Sequence, residues 1–463
     1  MRPLEIIIPI LLTIYLLWRH PRPFAIRLLP SAAFIVMLIH LGLEGYRWQM
    51  IPLYALTTLL LLSSLSRIRS STDWKPLASY LSLILLALST VLPILLPVPS
   101  IPTPDGPYPV GTRIYELTDS SRKELYSGQD GARRFQIQVW YPAEPAPSDE
   151  RAHWMHHAEV FSRSISEALL ELPSFFLDHL ELVKIPAYRN AKVTSSNERF
   201  PIILFSHGWN GFNAQNSGQA LQLASHGYVV VGMQHTYGAV VTVFEDGTIA
   251  KNNPAALPMD APDDIYDIAA DQLADQWAGD MAYTLDFLAG QNGDSDSPFF
   301  EKLDLSLVGA YGHSTGGGAV IQFCGTDPRC KALLGQDPFM RPVSTEILEG
   351  GVTQPAFFMF SQSWANDVNS LNNRQFKPFY GLSKEALGAV FIEGTTHYDF
   401  SDLPLLSPLT PQLGLKGPID GQRVTAIVND YLVSFFEMTL NERSSDPFVS
   451  LNQKYDEVKL MEK

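Results

Sequence analysis

The stretch Leu305-Ser-Leu-Val-Gly-Ala-Tyr-Gly-His-Ser314-Thr-Gly-Gly-Gly-Ala-Val-Ile321 decides the fold. Its first half, Ser306–Tyr311, is a short apolar run of strand character, and its second half carries a helix pattern. Between them lies Gly312-His-Ser314-Thr-Gly316, a serine with glycine two residues away on each side. The five-residue pattern alone is weak, because glycine-rich loops match it by chance. A strand before it and a helix after it supply the context of a nucleophile elbow. The turn strains the serine backbone, and the small neighbours let strand and helix close up. The Ser314 hydroxyl then stands above the sheet, and the Thr315 amide points at the reacting oxygen.

Working outward, the chain from about Val110 alternates strand-like and helical runs. Candidate strands are Gln136–Tyr141, Ile202–Phe205, Tyr228–Gly232, Ser306–Tyr311, Lys331–Gly335, Ala356–Phe360 and Val390–Ile392. Several are nearly continuous apolar runs, as suits parallel strands buried on both faces. Between them, Asn213 is expected to cap a helix running toward Ser225. Leu273, Trp277, Met281, Leu285 and Leu288 recur at helical spacing as core packing. Strands separated by helices imply a mainly parallel sheet with crossover helices, an α/β architecture.

The first hundred residues read differently. Pro3–Trp18, Leu28–Leu43, Met50–Ser66 and Pro76–Pro97 are apolar, and a bilayer core needs roughly 20 such residues per helix. Four membrane helices are expected. Arg2 followed by Glu5, with no small-residue cleavage site before Arg19-His-Pro-Arg22, argues against a signal peptide. Arg19, Arg22 and Arg27 in one loop, and Arg67, Arg69 and Lys75 in another, put both loops in the cytoplasm. Everything after Pro97 then lies on the extracytoplasmic side, as part of a multi-pass integral membrane protein. Trp18, Tyr46, Trp48 and Trp74 sit near the expected interfaces, and His40 and Glu44 read as a packed histidine and an interfacial acid. Seven prolines between Pro93 and Pro109 mark an extended spacer. The expected organisation is a membrane region over 1–97, a proline-rich linker over 98–109 and a catalytic domain over 110–463.

A serine hydroxyl needs a base, and the base an orienting acid. Of the eleven histidines only His397 follows Ser314, and it lies just beyond a strand. The acid stays open on pattern alone. Asp337 closes the strand after the nucleophile's, Asp367 follows the next strand, and Asp399 and Asp402 adjoin His397. An oxyanion hole needs a second backbone donor, and the run Pro201-Ile-Ile-Leu-Phe-Ser-His-Gly-Trp209 offers the Trp209 amide.

The net charge of -15 leaves no basic footprint for nucleic acid. His153, His156 and His157 cluster, but no carboxylate or thiol pattern completes a metal site, and neither metal nor cofactor is expected. The two cysteines, Cys324 and Cys330, are too few for a disulfide framework. In an oxidising compartment they offer one local disulfide, and two unrelated buried thiols are the equal alternative. The acidic segment from Tyr237 to Asp271 is expected to overhang the site, unless its charge is mere solvation.

With these residues in view, the chain after Gly106 resembles the plasma-type platelet-activating factor acetylhydrolases and their bacterial, dienelactone-hydrolase-like relatives. The resemblance is carried by Gly106-Pro-Tyr-Pro-Val-Gly111-Thr, Gln138-Val-Trp-Tyr-Pro142, Phe205-Ser-His-Gly208, Leu223-Ala-Ser-His-Gly-Tyr228, His235-Thr-Tyr and Phe244-Glu-Asp-Gly. It implies an α/β-hydrolase fold, with Ser314 as nucleophile, Asp337 as acid and His397 as base. It also implies the Trp209 and Thr315 amides as oxyanion donors. Thr315 stands where the animal enzymes usually have Phe, which alters the pocket wall but not the amide. The implied activity is hydrolysis of short or oxidised acyl esters of phospholipids, as by a 1-alkyl-2-acetylglycerophosphocholine esterase.

A general short-chain carboxylesterase or lipase of the same fold is the nearest rival. A catalytically silent hydrolase fold serving as a binding module is the next, although such proteins generally lose a triad member. A membrane sensor or transporter ranks last, because the apolar segments offer no substrate path.

Overall fold

The structure, a computed structural model, describes residues 1–18, 21–68, 76–196, 198–441 and 447–462. Four longer helices, besides a one-turn helix at Phe24–Arg27, open the chain: α1 (Pro3–Leu17), α2 (Leu29–Leu43), α3 (Ile51–Ile68) and α4 (Pro76–Leu95). Ile8, Leu12, Ala33, Leu53, Leu60 and Leu86 bury against one another at the centre of the bundle. Its exterior is also apolar, with Ile10, Leu43, Leu62 and Leu88 all more than half exposed. Helices that are apolar all round suit a nonpolar surrounding.

The expectation of four membrane helices is nonetheless corrected. Among the described residues one stretch, Trp48–Leu65, is both long and apolar enough to cross a membrane; Pro3–Leu17, Leu29–Leu43 and the part of α4 whose side chains are described, Ser79–Leu95, are shorter. A 15-residue helix such as α1 or α2 rises about 22 Å, well short of a hydrocarbon core of about 30 Å. The first two apolar runs of the sequence are already short, and the structure trims each by a single residue, Trp18 and Leu28. Arg19, Arg69, Trp74 and Lys75, part of the orientation argument, lie outside the described residues.

At one end of the bundle a buried polar network closes the helix termini. Arg47 donates to both carboxylate oxygens of Glu5 at 2.7 and 2.6 Å, and to the carbonyl oxygen of Leu96 at 2.6 Å. His40 lies between Glu44 at 2.9 Å and the Tyr54 hydroxyl at 2.7 Å. Trp48, expected at a membrane interface, docks on the second unit. Its indole donates to Phe176 O at 3.2 Å and meets Phe175 edge-on. The proline-rich linker is strapped down rather than free, since the Gly106 and Tyr108 amides both donate to Ser225.

The second unit is built on a mixed, mainly parallel sheet. Its central strands are β1 (Val110–Lys123), β2 (Ala132–Glu144), β3 (Phe200–Ser206), β4 (Val229–Gln234), β5 (Leu303–His313), β6 (Cys330–Gln336), β7 (Ala356–Ser361) and β8 (Ala386–Ile392). In space they run β8-β7-β6-β5-β3-β4-β2-β1. The six from β8 to β4 are mutually parallel, and β2 is antiparallel to both of its neighbours. β3, β4 and β7 are buried along their whole length, which is why they read as unbroken apolar runs. The strand readings from sequence fall inside these elements except at Tyr228, which precedes β4.

Helices cover both faces. α5 (Ser217–Ser225) and α8 (Gly421–Leu440) pack on one face, and α6 (Asp263–Gly293) and α7 (Thr315–Thr326) on the other. Asn216, not Asn213, holds the N-cap position of α5. The Asn213 amide is engaged instead by the Gln234 side chain at 2.7 Å, so residues 211–216 form a turn above the sheet. This layered arrangement is consistent with an α/β-hydrolase fold. It places the carboxyl ends of β3, β5, β6 and β8 along one edge of the sheet, with β7 between the last two, where open sheets of this kind hold their sites.

Candidate active site

Ser314 sits at the corner between β5 and α7 with φ 57° and ψ -124°. A non-glycine residue in that region costs on the order of 1–3 kcal/mol and persists only where its surroundings enforce it. Here its amide donates to Gln336 O at 3.0 Å, and its carbonyl accepts from Phe339 N at 2.9 Å and Gly318 N at 3.2 Å. The flanking glycines are required by close approach. A Cβ on Gly312 would fall 2.3 Å from Gly316 O, and one on Gly316 would fall 2.1 Å from Ser206 O. The sequence reading of a strained corner is thus met by the backbone.

Asp337 follows β6 directly, fully buried and with φ 43°. Its Oδ1 accepts the Ser361 amide at 2.8 Å. Its Oδ2 accepts the Ser361 hydroxyl at 2.6 Å and faces His397 Nδ1 at 3.0 Å. Of the four candidate acids, this one reaches the imidazole. Asp399 accepts the Thr396 and Gly417 amides, and Asp402 accepts the Gly218 amide, so both brace loops. Asp367 terminates the short helix Gln362–Asn366.

The His397 ring is held from both sides. Trp364 stacks on it at 4.4 Å with an interplanar angle of 4°, and His313 packs at 4.4 Å while bonding the His397 carbonyl at 2.9 Å. Burial pushes the His397 imidazole below its ordinary range, favouring the neutral form that can accept a proton. Burial pushes the Asp337 carboxyl up, and the two donations from Ser361 oppose that shift. With Nδ1 turned to Asp337, Nε2 is the nitrogen left for substrate chemistry. Among the described residues the Ser314 hydroxyl has no hydrogen-bond partner, as is common before a substrate tightens such a site.

Gly208 lies against the serine, since a Cβ built there would be 3.1 Å from Ser314 Cβ. The next amide is that of Trp209. Neither it nor the Thr315 amide is spent on a backbone partner among the described residues.

A second Ser-His-Asp set lies behind the first, and sequence reasoning missed it. The Ser206 hydroxyl meets His235 Nε2 at 2.9 Å, and His235 Nδ1 meets Asp280 Oδ2 at 2.9 Å. All three residues are fully buried, and Asp280 is also bound by Arg133 at 2.7 Å and Arg122 at 2.8 Å. No ester can reach that serine, and the aspartate is already neutralised by two guanidinium groups. The set is therefore structural. Ser361, His313 and Trp364 were also missed, because nothing local in the sequence ties them to His397.

The remaining candidates fall elsewhere. Cys324 and Cys330 are joined in a disulfide between α7 and the start of β6. His153, His156 and His157 line a cleft of about 540 Å³ whose lining includes none of Ser314, Asp337 or His397. Among the described residues one cluster has ligand-type atoms close together, Glu5 with His40 and Glu44 in the bundle, where hydrogen bonds within the chain already use them. The acidic segment 237–271 is no free overhang. It contains the hairpin Val241–Val243 with Ile249–Lys251 and the first turns of α6, where Asp263 and Asp267 bind Arg341.

Comparison with known proteins identifies the family. The sequence model of the family described as platelet-activating factor acetylhydrolase, isoform II, matches residues 97–268 and 295–457. Platelet-activating factor acetylhydrolase from Cavia porcellus is 28% identical over 382 residues, covering 77% of this chain and 82% of that protein. A probable 1-alkyl-2-acetylglycerophosphocholine esterase from Arthroderma benhamiae is 25% identical, covering 77% of this chain and 92% of that protein. Among solved structures, a ferulic acid esterase from Streptomyces cinnamoneus superposes with a TM-score of 0.63 at 21% identity, over 79% of this chain and all of that one. At that identity the likeness speaks to the fold alone.

Proposed function

The chain belongs to the platelet-activating factor acetylhydrolase isoform II family, and on that premise we propose that Ser314, His397 and Asp337 perform its ester hydrolysis. The protein is a carboxylic ester hydrolase of the serine type. The observation that carries the assignment is the 3.0 Å contact of His397 Nδ1 with a buried Asp337, on the loops flanking a serine held in an elbow. In the proposed reaction Ser314 Oγ attacks the ester carbonyl while His397 Nε2 takes its proton. Asp337 orients the ring and stabilises the imidazolium, and the alkoxide leaves with that proton. Water then attacks the acyl-serine, giving a proton to His397, which returns it to Ser314. The Trp209 and Thr315 amides receive the oxyanion in both steps.

Similarity to enzymes named for platelet-activating factor favours short acyl chains on phospholipids as the substrate class. The apolar exterior of the bundle supports seating in a lipid bilayer, which would bring residues 110–463 beside such a substrate. The Cys324–Cys330 disulfide supports an extracytoplasmic site, because cytosolic thiols are kept reduced.

Ser314→Ala tests the assignment. It should abolish hydrolysis of p-nitrophenyl acetate and labelling by a fluorophosphonate, with an unchanged thermal unfolding midpoint. Turnover retained in that variant would refute it.

A further inference from the structure

A trans peptide is planar, with its C=O and N–H pointing in opposite directions. Fixing the Gly208 carbonyl therefore aims the Trp209 amide. That carbonyl accepts from His207 Nδ1 at 2.7 Å and from Gly211 N at 2.9 Å. The other ring nitrogen, His207 Nε2, accepts the backbone N–H of His235 at 3.2 Å. A neutral imidazole has one proton, and a nitrogen that accepts an N–H cannot carry it. The proton must then sit on Nδ1, where it is donated to Gly208. Complete burial, with the His235 imidazole nearby, holds His207 well below the ordinary histidine range and so keeps it neutral.

The donor to His207 is itself fixed. His235 is stacked on Trp277 at 4.2 Å with an interplanar angle of 4°, and its two ring nitrogens are bound by Ser206 and Asp280. The buried Ser206-His235-Asp280 set, useless for catalysis, thus anchors the N–H that selects the His207 tautomer.

We infer that His207 is a positioning residue for ester hydrolysis: its Nδ1–H locks the Gly208 carbonyl and holds the Trp209 amide as a preorganised oxyanion donor. The inference rests on the assignment of Ser314 as nucleophile and Trp209 as donor. It places a requirement for catalysis on a side chain that never touches substrate.

Three variants of the full chain test it. Asn at position 207 keeps an N–H donor near the place of Nδ1, Gln moves its amide toward the place of Nε2, and Phe keeps the volume without either. His207→Phe should lower kcat for p-nitrophenyl acetate by about 10²-fold, the scale of losing an oxyanion donor. KM should stay within about 3-fold. His207→Asn should recover most of the loss, and His207→Gln should not. The inhibition constant of a trifluoromethyl ketone, which forms a tetrahedral oxyanion on the serine, should weaken in step with kcat/KM across the series. A merely structural role predicts no such proportionality. Wild-type kcat in His207→Phe, a loss carried by KM, or equal losses in the Asn and Gln variants would overturn the inference. Should the Phe variant fail to fold, the contrast between Asn and Gln decides. An active Ser314→Ala would instead refute the underlying assignment, whatever His207 does.

Discussion

Two imidazoles at the site are set up for opposite tasks by their partners. His397 offers Nε2 outward because Nδ1 is bound to Asp337. His207 has neither nitrogen free, since one accepts and the other donates. A base must be neutral to accept a proton, so hydrolysis is lost as pH falls through the His397 pKa. Burial lowers that pKa from its ordinary value near 6.5. The rate should therefore stay flat from neutral pH down past 6.5 and fall only below it. Measuring kcat/KM for p-nitrophenyl acetate between pH 4 and 9 checks this. A midpoint above 6.5 would mean either that the Asp337 charge outweighs burial at His397 or that Asp337 itself, pushed up to about 7 by burial, is the group that titrates.

At the scale of elements, the site is a set of strand ends. β5 delivers Ser314, β6 delivers Asp337, the loop after β8 delivers His397, and the turn after β3 delivers Trp209. α7 is held against these ends by its glycines, by the Phe339 amide on Ser314 O, and by the Cys324–Cys330 bond at its far end. That disulfide spans six positions, and closing so short a loop is worth about 2 kcal/mol in the chain-entropy account. The double variant Cys324→Ala/Cys330→Ala should lose about that much unfolding free energy in urea. Its labelling by a fluorophosphonate should continue at a rate near wild type, because the elbow lies at the other end of α7. A collapse of labelling in folded protein would show that the bond holds the elbow itself.

At the scale of the molecule, the helical bundle is joined to the hydrolase unit by specific contacts rather than by a loose tether. Trp48 and Gln49 reach Phe176 and His179, and Ser407 bonds the Leu95 carbonyl. Leu85 and Leu88, 53% and 61% exposed on α4, lie on the apolar exterior proposed to meet lipid. The full chain should float with phosphatidylcholine vesicles in a sucrose gradient. Leu85→Lys/Leu88→Lys should reduce flotation while leaving p-nitrophenyl acetate hydrolysis intact. Unchanged flotation would exclude this face from the lipid contact.

The local sequence around Ser314 was enough to determine the elbow, because strain, glycine spacing and the strand–helix switch are all encoded within seventeen neighbouring residues. Chain order likewise left one histidine after the serine. The buried strands were legible for a related reason: a strand covered on both faces must be apolar throughout. Local pattern left Asp337, Asp367, Asp399 and Asp402 open, and only the family resemblance implied Asp337; the physical ground for that choice, contact with the imidazole, is visible in the tertiary structure alone. The same holds for the Ser206-His235-Asp280 anchor, whose members lie 29 and 45 positions apart. Periodicity reports which face of an element is buried. It does not report which buried polar groups meet, and that pairing, set by how β3, β4 and α6 pack, decides where the Trp209 amide points.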